Sequence, residues 1–136
     1  MAANPELIKF EEEVKKLRTM QKQIQELAKQ REVLGTQKNE NELVRRELDV
    51  IAAQPEGEKD QVFKLVGPVM IKQDLADARD TIAKRLEYIG KEIDSRQEQI
   101  KDLQQKAMQQ QAIIQAMQAK LMAPPQQQQQ QQQQRH

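Results

Sequence analysis

The chain has no cysteine and no tryptophan, one tyrosine, two phenylalanines and one histidine in 136 residues. Without cysteine there is no disulfide and no thiol chemistry, which suits a reducing compartment. So few large rings leave little material for a globular core. Catalysis has as little to draw on. The one histidine, His136, is the last residue, and the one serine, Ser95, has no histidine near it in sequence to activate it. No His or Cys cluster could hold a transition metal. Gly67-Pro68 lacks the following Lys-Ser/Thr of a phosphate-binding loop. Neither an enzyme nor a cofactor is expected. No apolar run approaches the ~18 residues that span a membrane. The first residues, Met-Ala-Ala-Asn-Pro-Glu-Leu, lack a basic-then-apolar leader, so the expected location is cytoplasmic. The net charge is +1, with both signs interspersed and no basic block that would mark a nucleic-acid footprint.

What remains is rich in Ala, Glu, Lys, Leu, Arg and Gln, the residues of long helices. All five prolines fall outside two helical stretches. Asn4 is a candidate N-cap ahead of Pro5, and Asp74 a second. This punctuation predicts one domain over 1–122: a helix at 6–51, a hairpin at 61–73 and a helix at 75–122. The tail 123–136, with nine glutamines, has nothing to bury and is expected to be disordered. In the second helix Leu75, Ala78, Ile82, Leu86, Ile89, Ile93, Arg96, Ile100, Leu103, Ala107, Gln110, Ile114, Met117 and Leu121 recur in steps of three and four. That is a coiled-coil seam with two polar interruptions. The first helix shows a less regular seam: Leu7, Phe10, Val14 and Leu17, then Met20, Ile24, Leu27 and Leu34 after a phase change, with Arg31 intruding, and Val44, Leu48 and Ile51 to finish it. Equal helices of roughly 65–70 Å, joined by a compact hairpin, imply an antiparallel coiled coil. If Val50 stands level with Leu75, the two intrahelical glycines, Gly35 and Gly90, also stand level. Acids precede bases by four residues at Glu12–Lys16, Glu42–Arg46, Asp80–Lys84, Glu87–Lys91 and Glu92–Arg96, which favours exposed helix faces.

The hairpin segment reads Val62-Phe63-Lys64-Leu65-Val66-Gly67-Pro68-Val69-Met70-Ile71-Lys72-Gln73. A lone two-stranded hairpin is at best marginally stable in water. No third strand is expected in this chain, so its edges are expected to pair with strands of other chains. Val62, Phe63, Leu65, Val66, Val69, Met70 and Ile71 put apolar groups on both faces, whereas a surface hairpin alternates. These seven are the expected assembly residues.

The chain ends offer a second surface. Asp102 is the last acid, and from Leu103 to Leu121 only Lys106 and Lys120 are charged. Ile113 and Ile114 are adjacent, so one seam cannot bury both equally. With Met117, Leu121 and Met122, and with Leu7, Ile8 and Phe10 from the first helix, the tip holds more apolar residues than its seam needs. Such a surface calls for a partner, and methionine suits promiscuous contact.

From Val62 to Gln73, through Asp74-Leu75-Ala76-Asp77-Ala78-Arg79 to Lys84-Arg85-Leu86-Glu87-Tyr88-Ile89, the sequence resembles the β-type subunits of prefoldin. The helix–hairpin–helix plan of that family covers residues 6–122, while the distal helix halves match only in pattern. The resemblance implies a mainly α fold: a long antiparallel two-helix coiled coil whose single β-hairpin completes an intersubunit β-barrel. It implies α-type and β-type prefoldin subunits as partners in a heterohexamer. It also implies ATP-independent capture of unfolded proteins, notably actin and tubulin, at the arm tips, and their transfer to the group II chaperonin (TRiC/CCT). Assembly and client binding would then lie some 65 Å apart, by the helix rise. The alternative is a structural or tethering coiled coil without client binding.

Overall fold

The computed structural model describes residues 4–123. Two long helices, α1 (Pro5–Ala52) and α2 (Leu75–Met122), flank an antiparallel hairpin of β1 (Val62–Val66) and β2 (Val69–Gln73). Each helix starts on the cap that its sequence offers. The Glu6 N–H donates to Asn4 Oδ1 at 3.0 Å, and the Ala76 N–H to Asp74 Oδ1 at 2.7 Å.

The chain divides into two compact units. The hairpin unit is Lys29–Gln97. The terminal unit is formed by the described parts of Met1–Ala28 and Glu98–His136. In the hairpin unit Arg96 meets Gln30 and Arg79 meets Asp49. Positions advance along one helix as they retreat along the other, so the helices pair antiparallel. Gly35 and Gly90 lie a similar distance beyond the Gln30–Arg96 contact and therefore stand nearly level. Leu48, Ala78 and Ile82 form the buried core of this unit, with Ile51, Val62, Leu75 and Leu86 packed against it. In the terminal unit α1 meets α2 through Glu13 and Gln110.

Every expected seam residue of α2 is buried or half-buried, including Arg96 and Gln110. The seam of α1 needs correction. Met20, Leu27, Leu34, Asn41 and Leu48, all at least half-buried, keep an unbroken seven-residue spacing through the middle of the helix. Val44 falls off this line and is 40% exposed. Arg31 does not intrude: it is exposed, and its neighbour Gln30 faces α2 instead.

Three expected ion pairs form, Asp80–Lys84, Glu87–Lys91 and Glu92–Arg96, at 2.9, 3.3 and 3.0 Å. The other two do not. Lys16 turns to Glu13, which Gln110 holds in place, and Glu42 takes Arg45 at 2.6 Å. A base three residues on is as reachable as one four residues on.

Candidate functional site

A loop closed on itself sets the hairpin on its helices. The Gln54 amide donates to Asp60 Oδ2 at 2.9 Å, and the Asp60 N–H donates back to Gln54 Oε1 at 2.8 Å. Within the loop the Glu58 N–H closes on the Pro55 carbonyl at 3.0 Å, with Gly57 at φ 84°. Positive φ at the third of four residues is the type II turn that glycine serves best. The hairpin's own turn has positive φ only at its first central residue, Gly67 (φ 57°), followed by Pro68. That is the II′ pattern, whose twist matches the strands it joins.

The register pairs Val62 with Gln73, Phe63 with Lys72, Lys64 with Ile71, Leu65 with Met70 and Val66 with Val69. Paired residues share a face. One face therefore carries Val62, Lys64, Val66, Val69, Ile71 and Gln73, and the other Phe63, Leu65, Met70 and Lys72. Val62 packs on the helix core. Phe63, Leu65, Val66, Val69, Met70 and Ile71 are all exposed, to 70% at Leu65 and 65% at Met70. A hairpin covered on one side by its own helices would hide one face. This one hides little beyond Val62. Both outer edges also lack strand partners, because the sheet has two strands only among the described residues.

The eight tip residues all lie in the terminal unit, on the first turns of α1 and the last turns of α2. Leu7, Ile8, Ile113 and Met122 are exposed, the last to 76%. Phe10, Ile114, Met117 and Leu121 are half-buried along the seam. The adjacent isoleucines divide as their spacing requires, one outward and one inward. Sequence reading missed Met108, which is 72% exposed in the same unit. It follows the seam residue Ala107 and so points off the seam, a signal that was readable. It also missed Leu43 and Val50, exposed on α1 in the hairpin unit.

The electrostatics are mild. The Gln110 side-chain amide, buried in the seam, donates to the Glu13 carbonyl at 2.8 Å and to its carboxylate. That hydrogen bond, with a smaller contribution from Lys16, holds the Glu13 carboxyl below its ordinary range. The Asp80 carboxylate raises Lys84. Among the described residues no cluster of three or more His, Cys, Asp or Glu is placed to hold a metal. No helix among them is long and apolar enough to cross a membrane.

Comparison with known proteins places this geometry. A family model described as "Prefoldin subunit" matches residues 11–121. The chain is 37% identical over 110 residues to prefoldin subunit 6 of Bos taurus, a span that is 81% of each chain. It is 35% identical over 113 residues to a probable prefoldin subunit 6 of Caenorhabditis briggsae, covering 83% of this chain and 84% of that one. The crystal structure of the prefoldin beta subunit from Thermococcus strain KS-1 superposes with a TM-score of 0.68 at 21% identity. It covers 91% of this chain and 98% of the other.

Proposed function

Because the chain belongs to the prefoldin family, we propose that it is a β-type subunit of a heterohexameric, cytosolic prefoldin co-chaperone. In this reading it captures unfolded proteins without ATP, actin and tubulin among them, and passes them to the group II chaperonin. It assembles through Val62, Phe63, Leu65, Val66, Val69, Met70 and Ile71 with α-type and β-type sister subunits. The observation that carries the assembly role is the exposure of apolar side chains on both faces of a hairpin whose two outer edges are unpaired among the described residues. Backbone pairing with foreign strands supplies affinity there, and side-chain fit chooses the neighbours.

Clients meet Leu7, Ile8, Phe10, Ile113, Ile114, Met117, Leu121 and Met122, with Met108 added from the exposed surface of the same unit. Exposed methionines support the binding of varied sequences, since the unbranched thioether repacks. The mechanism is holding, with no covalent step.

The test is the aggregation of chemically denatured actin on dilution, followed by light scattering. The assembled complex suppresses it. Replacing Leu7, Ile8 and Phe10 together by alanine reduces suppression while native mass spectrometry still finds the full assembly. Full suppression by that assembled triple variant counts against the tip. No suppression by the wild-type complex leaves the tethering coiled coil.

A further inference from the structure

Between the hairpin and the helix roots lies a groove of about 180 Å³. Its floor is the buried core, Leu48, Ala78 and Ile82, with Val62 beside it. Val44, off the seam and 40% exposed, also lines it. Small-molecule sites run to about 300–1,000 Å³, so this one suits a single large side chain. Two cations, Lys64 and Arg85, also line it. Neither has an ion pair among the described residues, although Arg79 and Lys84, on the same helix as Arg85, both do.

Val62, Phe63 and Lys64 of β1 line this groove together with Gln73 of β2, and the outer edge of β1 is free, since among the described residues β1 pairs with β2 alone. A strand added there places its alternate residues on the same face as the β1 residues they oppose. A residue opposite Val62 therefore points to the apolar floor, and one opposite Lys64 meets the cations. The two lie two positions apart on the added strand. The chain's own strands cannot meet this demand. β1 and β2 carry Lys64 and Lys72 and no acid. No register within those strands of a second copy supplies a counter-charge, Asp60 two residues ahead of Val62 is held by Gln54 in the loop, and like charges placed directly opposite destabilise a strand pair.

We propose that the groove is a socket for the edge strand of a sister prefoldin subunit that carries a large apolar residue and, two positions away, an acid. Lys64 and Arg85 select that strand and exclude a second copy of this chain. The inference rests on the hairpin being the assembly site.

The experiment co-expresses the full chain with its sister subunits and reads incorporation by native mass spectrometry. The K64E/R85E variant alters two exposed side chains and keeps the wild-type circular dichroism spectrum. Its incorporation falls on the order of tenfold, from like-charge contact at the interface. In K64E/R85E, β1 now presents an acid two residues from Val62 and Val66. Mixed with wild-type chain, this variant forms mixed dimers, while wild type alone does not dimerise through the hairpin. Wild-type incorporation of K64E/R85E overturns the proposal, as does hairpin-mediated dimerisation of the unmodified chain. A parallel F63D/V69D arm separates the two levels. If it dissociates while K64E/R85E assembles, the socket alone is refuted; if it too assembles, the hairpin is not the assembly site.

Discussion

Gln110 occupies a seam position that an apolar side chain would fill at less cost in desolvation. It is tolerated because both its contacts are supplied by one residue, Glu13. Arg96 is the matching case in the hairpin unit, with Nε donating to Gln30 at 2.8 Å and a guanidinium nitrogen 3.0 Å from Glu92. A polar residue in a seam fixes register, since any slip leaves it buried without a partner. The Gln110–Glu13 contact also makes a pH signature. Glu13 titrates below its ordinary value when folded. Its contribution to stability is therefore present above the unfolded carboxyl pKa and is lost as pH falls through the folded one. Replacing Gln110 by Leu takes away the larger part of that dependence and leaves the smaller part that Lys16 supplies. Thermal unfolding of wild type and Q110L at pH 7 and pH 3 should show the melting-temperature difference moving in the variant's favour at the lower pH. A difference that stays constant across that range would mean the hydrogen bond does not hold the carboxylate.

At the scale of the elements, the glycines divide by what surrounds them. A Cβ at Gly35 or Gly90 would meet nothing within 4 Å, and both lie inside long helices. G35A and G90A should each stabilise the fold by roughly 1 kcal/mol, raising the melting temperature by several degrees. An unchanged or lower melting temperature would show that the glycines serve a bend. Gly67 is the opposite case, because its φ of 57° is one that L-residues adopt only at a cost of about 1–2 kcal/mol. G67A should weaken the hairpin, and incorporation into the complex should fall with it. The elements were legible in sequence to unequal degrees. The seam of α2 could be read in full because its apolar steps of three and four are nearly unbroken. That of α1 could not, because Val44 is apolar yet off the line while Asn41 is polar yet on it. Hydropathy alone ranks those two the wrong way round. The ion pairs failed for another reason: spacing permits both a three- and a four-residue reach, and only the packed neighbours decide between them.

At the scale of the whole chain, the hairpin sits mid-sequence in one compact unit and the tip residues come from both chain ends in the other. Each surface can therefore be changed without touching the other. Client holding by many weak tips depends on linkage, because a second contact made within one assembly is effectively intramolecular. A chain carrying F63D/V69D keeps every tip residue and loses only its neighbours. Suppression of actin aggregation by this unassembled chain should need a concentration higher by at least about 10²-fold, counted per tip, the lower end of the range that multivalency provides. Retention of helical circular dichroism confirms that the tip is still presented. Equal potency per chain from the unassembled variant and the complex would mean that each tip holds clients by itself, and that assembly serves something other than avidity.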